Sequence, residues 1–280
     1  AQSRKEGLQK LHNLTQAYKA ALVKLIMDDE QSKMDNQDYL EMKQREVEAM
    51  SVAQLRDEAI DRKLNADSVS WLRGKIAELI PDLIELLHGL DDEAGRLAAL
   101  NTLKQIVRDL AQDRKFLHTL PQLAAAIFFL KCGQDGVVFS AANECLDEIV
   151  SCSTHRRLVN IAEEAIGSRN EERVRNRAMS CLLQMLLQWP VAKLDRQEAQ
   201  FRRMLIAVMN SRTPITKHMG KTARRAAMVF LCRMPRNEAD FRMELGPSLT
   251  AQIEEEEMWA LAQLRKCTFS IGNVVHDVTV

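Results

Sequence analysis

The sequence predicts an all-α chain built as a stack of helix pairs, and three observations carry that reading. Gly is scarce at 10 of 280 residues and Pro at 6, so the residues that interrupt helices are rare. Leu, Ala, Met, Glu, Arg and Gln are abundant, and these lose little side-chain freedom in a helix. From about Val69 onward, apolar residues at helical spacing alternate with short breaks at near-regular intervals. The length suits one large domain or two small ones. The most β-prone stretch, residues 269–280, is a single segment and too little for a sheet.

Residues 3–28 read as one amphipathic helix, with Leu8, Leu11, Leu14, Tyr18, Leu22 and Leu25 at spacings of three and four. Residues 29–37 break the pattern. Residues 38–64 are helix-prone but strongly charged, with a thin stripe of Met42, Met50, Leu55, Ile60 and Leu64. A solvated surface helix, a weak coiled coil and a mobile insertion all fit that stripe. So few apolar groups predict little contribution to stability, because backbone ordering costs about 1–2 kcal/mol per residue.

Residues 71–87 form the next predicted helix, kinked or divided by Pro81. Asp91-Asp92-Glu93 restarts the chain with acids suited to a helix N-terminus. Predicted helices follow over 120–131, 138–151, 155–166, 170–188, 196–209 and 221–234, then a last pair over 237–266 divided at Gly246-Pro247. Ser168-Arg-Asn-Glu171 has capping-box spacing, and Asp195 is placed to cap the helix after it. Breaks within pairs fall near 91, 134, 168 and 211, at steps of 43, 34 and 43 residues. That is close to the ~40–47-residue period of HEAT and armadillo arrays. Parallel stacking of such pairs puts these turns along one edge. The expected organisation is residues 1–68 as a helix plus charged helical insertion, 69–267 as the repeat array, and 268–280 as a tail.

Lys+Arg and Asp+Glu balance at 39 each, but the charges are segregated. Residues 156–236 hold 17 Lys+Arg and 6 Asp+Glu, a net of +11; residues 1–155 net −6 and residues 237–280 net −5. Segregated charge on a repetitive helical scaffold points to a docking surface for an acidic partner. The candidates are Arg169, Arg173, Arg175, Arg212, Lys217, Lys221 and Arg224, each in or within a turn of a break between paired helices. Arginine suits carboxylates because its planar fork makes two parallel hydrogen bonds.

Other chemistry finds little support. Six scattered cysteines lack a Cys-x-x-Cys, and six scattered histidines lack a His-Glu-x-x-His, which fits reduced thiols in a cytoplasmic protein with no metal or cofactor. Gly220-Lys221-Thr222 lacks the earlier glycine of a phosphate loop, since position 215 is Ile. No nucleophile elbow appears, so no catalytic residue is assigned and the chain is not read as an enzyme. The basic segment contains only Trp189, Phe201 and Phe230 as aromatics, too few for a nucleic-acid stacking platform. There is no run of about 18 apolar residues to cross a membrane. Glu254–Glu257 reads as a solvated face or as an internal contact to the basic repeats. Trp71, Trp189 and Trp259 read as core anchors or as parts of a partner pocket.

Four segments resemble one family. Met234-Pro-Arg-Asn-Glu-Ala-Asp-Phe-Arg-Met-Glu-Leu-Gly-Pro-Ser248 looks like the closing segment of TOG domains in the CLASP and crescerin branches. Thr222-Ala-Arg-Arg-Ala-Ala resembles the entry to their last-but-one helix, and Glu172-Arg-Val-Arg-Asn-Arg177 their fourth-repeat turn. Ser3-Arg-Lys-Glu-Gly-Leu8 is similar to their opening. The resemblance implies a flat paddle of about six helix pairs that binds tubulin or microtubules along one narrow edge, without catalysis. It also implies a cytoskeletal setting, whether cilium and axoneme or centrosome and spindle. Arg173, Arg175 and Arg224 are the candidates that also match the family pattern. The sequence departs from that pattern at its acidic second turn and at its third turn, Gly133 to Gly136, which has no cation. A HEAT-repeat scaffold for another acidic protein, without tubulin contact, is the competing expectation.

Overall fold

The computed structural model describes residues 2–34, 36–62, 80–89, 93–110, 114–130, 136–167, 170–211, 216–234, 236 and 238–271, and all regular structure among them is helical. The chain divides into two compact units, Ala1–Ala126 and Ile127–Val280. Among the described residues no helix is long and apolar enough to cross a membrane.

The first unit is organised on α1 (Gln2–Lys33), which packs against α2 (Gln37–Ala49), α3 (Val52–Asp61), α4 (Ile80–Gly89) and α5 (Glu93–Leu110). The short α6 (Arg114–Leu117) follows, and α7 (Leu120–Phe128) runs through the unit boundary. The predicted break at 29–37 shrinks to residues 34–36, where the Asn36 side chain accepts hydrogen bonds from the amides of Asp38 and Tyr39 and starts α2. The predicted helix over 38–64 divides at Met50-Ser51. There Ser51 and Gln54 exchange backbone–side-chain hydrogen bonds of 2.9 and 3.3 Å, a capping box that starts α3.

The segment buries side chains beyond its predicted stripe. Val47, Val52, Leu55 and Ala59 are buried, as are Leu22 and Ile26 of α1. Of the predicted stripe Leu55 is buried while Met42 stays 59% exposed, so most of the burial comes from Val47, Val52 and Ala59 beside it. An ion cluster closes the same corner. Arg62 Nη1 donates to Glu30 at 2.5 Å and to Asp29 at 3.2 Å, and Arg62 Nε donates to Glu58 at 2.7 Å.

The second unit contains two layers. One comprises α8 (Val137–Cys152), α10 (Glu172–Gln188), α13 (Lys217–Arg233) and α16 (Glu257–Ile271); the other comprises α9 (Arg156–Ile166), α12 (Glu198–Met209) and α14 (Glu238–Leu245). The short α11 (Val191–Asp195) links α10 to α12, and α15 (Pro247–Glu254) links α14 to α16. First-layer helices begin at 137, 172, 217 and 257, so the period is 35, 45 and 40 residues. The layers bury Leu146, Ile149, Leu182, Leu186, Leu205, Phe201, Phe230 and Phe241.

Side-chain bonds fix the direction of this stack. Trp189, just past α10, donates its indole N–H to Val150 in the last turn of α8 at 3.0 Å. Arg233, the last residue of α13, donates to Leu186 and Leu187 at the end of α10 at 2.5 and 3.2 Å. Hence α8, α10 and α13 run parallel, with their N-terminal ends on one edge and their C-terminal ends on the other. In the second layer Gln200 donates to Asn160 and Glu163, and Arg203 pairs with Glu163, so α9 and α12 also run parallel.

Several boundaries correct the sequence reading. Helix α10 begins at Glu172 with Glu171 as N-cap and no side-chain cap bond; Ser168 lies outside the described residues. Asp195 ends α11 and does not cap α12, whose N-cap is Gln197. Helix α13 begins at Lys217 on a Thr216 cap, so Gly220 is a buried helical residue and not part of a loop. Helix α16 extends to Ile271, which places residues 269–271 in a helix. Trp71, Asp91, Asp92, residues 133–135 and residues 272–280 also lie outside the described set.

Candidate functional site

The edge formed by the N-terminal ends of α8, α10 and α13 is the one where the sequence places its cations. In a helix the first amides lack intrahelical acceptors, so each end carries partial positive charge. Thr216 Oγ1 takes one such amide, that of Met219, at 3.2 Å. Lys217 and Lys221 are exposed and Arg224 is half-buried on the first two turns of α13. None of the three forms an ion pair among the described residues. His218 is exposed beside them, and Val137, at the start of α8, is 67% exposed. The edge therefore offers cationic side chains concentrated at α13 and an apolar contact at α8.

Arg175 does not belong to this surface. It is 4% exposed, and its Nε donates to the Ile166 carbonyl at 3.3 Å. It secures the end of α9 against the start of α10, so the expectation that it reaches outward is corrected. Arg173 is half-buried and paired with Glu171, which reduces what it offers a partner. Arg169 and Arg212 lie outside the described residues. Of the seven candidates, Lys217, Lys221 and Arg224 stand together as open cations.

The sequence reading missed Arg177. Its side chain is fully buried. Nη1 donates to the carbonyls of Ile127, Phe128 and Leu130 at 2.6, 2.8 and 3.3 Å, and the guanidinium lies 5.2 Å from the centroid of the Phe139 ring. Ile127 and Phe128 end α7 and Leu130 follows it, at a helix C-terminus where carbonyls run short of intrahelical donors; the Leu130 amide also reaches the Ile127 carbonyl, at 3.3 Å. A planar cation with several N–H groups serves three acceptors that one ammonium reaches less well. The signal was present in the sequence. Arg177 falls three residues after Val174 and four before Cys181, on the apolar stripe.

Much of the basic excess is thus internal. Arg175, Arg177 and Arg233 hold backbone carbonyls. Arg202 pairs with Glu244 and Arg225 with Glu256. Arg225 also stacks on Trp259, 4.1 Å from the ring centroid. Glu254 takes Arg242. Glu256 is therefore an internal contact to the basic repeats, while Glu254, Glu255 and Glu257 are exposed. Trp189 is a core anchor at 1% exposure, packed edge-on to Phe201 at 6.4 Å.

Cys181 is a buried free thiol, and burial pushes it up. Burial, then the neighbouring carboxylates of Glu144 and Glu148, push Asp147 up to about 6. Among the described residues no group of three His, Cys, Asp or Glu could hold a metal ion. No protein-family model matches the chain, and no curated protein matches it with significance.

Proposed function

We propose that the second unit is a non-catalytic docking module that binds tubulin or microtubules through the edge carrying Lys217, Lys221 and Arg224. The observation that carries this reading is the parallel packing of α8, α10 and α13. It aligns three helix N-termini on one edge and places three open cations at the last of them. An acidic protein surface is the natural complement, since opposite potentials steer encounter and fix register. Tubulin is named on the sequence resemblance to TOG domains, whose turns bind along such an edge. Recurrence at 35–45 residues supports HEAT-type repeats as the underlying architecture. Regulation of microtubule dynamics, at a cilium or a spindle, extends the same resemblance.

The competing reading is a HEAT-type scaffold for a different acidic protein. Burial of Arg175 favours it, because one of the three arginines matching the tubulin-binding pattern is unavailable. Co-sedimentation with microtubules and gel filtration with free tubulin dimer separate the two. The expected result is association at low salt, lost in the triple variant Lys217→Glu, Lys221→Glu, Arg224→Glu with its helical circular dichroism unchanged. Absence of association by the wild-type chain at low salt would leave the scaffold reading. Association undiminished by the triple variant would rule out this edge.

A further inference from the structure

The opposite edge of the second unit carries its own row of cations. The connections from α8 to α9, from α10 to α12 and from α13 to α14 all lie there, because the C-terminal ends of α8, α10 and α13 are held together. Arg156 and Arg157 open α9 directly after the first connection, Lys193 and Arg196 lie in the second and Arg236 in the third. The four arginines are exposed and Lys193 is half-exposed. None forms an ion pair among the described residues. Their charge contrasts with that of Arg175, Arg177 and Arg233, which the fold consumes internally.

We propose that this edge is a second docking site, for an extended acidic peptide with carboxylates at every third residue. The spacing comes from the stack. Packed helices lie about 8–10 Å apart, so the three cationic stations recur at about that distance. An extended chain advances about 3.3–3.6 Å per residue, and three residues cover one step. Exposed Asp195 lies in the second connection, and exposed Asp240 in the first turn of α14 just after the third. They disfavour a continuous polyanion and favour a partner whose charge is interrupted. A nucleic-acid strand has closely spaced phosphates and gains from stacking on aromatics; at this edge Trp189 and Phe241 are buried. Arginine supplies four of the five cations, and its fork matches a carboxylate in two parallel hydrogen bonds.

The test uses the full chain and two fluorescein-labelled peptides of equal length and composition. One repeats Glu-Ser-Ser; the other gathers the same glutamates into one block. Fluorescence anisotropy at low salt should show the spaced peptide binding at least fivefold tighter than the blocked one. The variant Arg156→Glu, Arg157→Glu, Arg196→Glu, Arg236→Glu should weaken the spaced peptide at least tenfold. The triple variant at Lys217, Lys221 and Arg224 should weaken it less than threefold, so failure here is distinct from failure at the tubulin edge. Thermal unfolding of both variants within a few degrees of wild type shows that the fold is intact. Equal binding of the two peptides, a quadruple variant that binds as wild type, or tighter binding of a single-stranded RNA than of the spaced peptide would each overturn the proposal.

Discussion

Arg177 and Arg233 do the same work at opposite edges of the second unit, but under different exposure. Arg177 is fully buried on three carbonyls; Arg233 is half-buried on two. Removing a donor leaves buried acceptors unsatisfied, at about 1–3 kcal/mol each, offset in part because the charge no longer has to be desolvated. Arg177→Met, which keeps the side-chain volume, is therefore expected to lower unfolding free energy by about 3 kcal/mol. Arg233→Met should cost about 1–2 kcal/mol. Urea unfolding of the two variants checks the order, and a greater loss at Arg233 would contradict the assignment. Arg175→Glu belongs with them. It places a second anionic group beside the Ile166 carbonyl and should unfold the end of α9, which makes it unsuitable as a probe of partner binding.

Asp147 gives a pH dependence of the less common sign. Its folded pKa, about 6, lies above the ordinary 3.8 because burial and two neighbouring carboxylates disfavour its charge. Between those values the folded state binds more protons than the unfolded state, so stability falls as pH rises from about 4 to about 6. Above that window the ionised group is a standing cost. Asp147→Asn should stabilise the chain at pH 7.5 by about 1–2 kcal/mol, less than the full shift implies because the residue is only partly shielded from solvent. The gain should vanish below pH 4. Thermal melts at pH 4 and pH 7.5 test this, and equal gains at both values would show that Asp147 does not titrate as described.

Among the elements, α3 shows how periodicity can identify a helix and still misjudge its role. Leu55 was part of a stripe judged too thin to matter, yet it is fully buried. Leu55→Ala should cost about 2–5 kcal/mol, the range for emptying a leucine site in a core, and a loss below 1 kcal/mol would restore the original expectation. The ion cluster adds acid sensitivity at the same joint. Hydrogen bonding to Lys33, against some burial and with help from Arg62, holds the Asp29 carboxyl below its ordinary value. Its contribution is therefore present above the usual carboxylate range and is lost as pH falls through the folded pKa.

What could be read from the sequence divides along physical lines. Helix identity and approximate spacing were legible because burial on one face imprints a 3.6-residue period. Thus α8, α9, α12 and α15 begin within a few residues of the reading. Starts that depend on capping were not legible: Asp195 and Thr216 are both ordinary capping types, yet Thr216 caps α13 while Asp195 ends α11 and leaves the N-cap of α12 to Gln197. The candidate edge was legible as an excess of positive charge, but charge counting cannot separate an exposed Lys217 from a buried Arg175. That separation depends on which carbonyls the fold leaves without donors, a long-range property. The packing of α2 through α5 around α1 is a long-range property of the same kind, formed across stretches of highly charged sequence.

For the whole molecule, net charge is a poor guide to association. The chain sums to zero, so at distances beyond the Debye length, about 8 Å at physiological ionic strength, it exerts little attraction on a partner. Within that distance the second unit presents open cations, while many of its arginines are withdrawn into carbonyl and carboxylate contacts. Binding of an acidic partner should therefore depend on the few exposed cations and weaken with salt, despite neutrality of the whole. Raising salt from 50 to 300 mM should reduce tubulin association at least fivefold. Changing the net charge on the first unit, as in Glu41→Lys with Glu48→Lys, both exposed on α2, should alter it less than twofold. Co-sedimentation across a salt series tests both arms. A charge change on the first unit that rivals the Lys217 and Lys221 reversals would mean that partners respond to overall charge, and the edge would lose its claim to be the site.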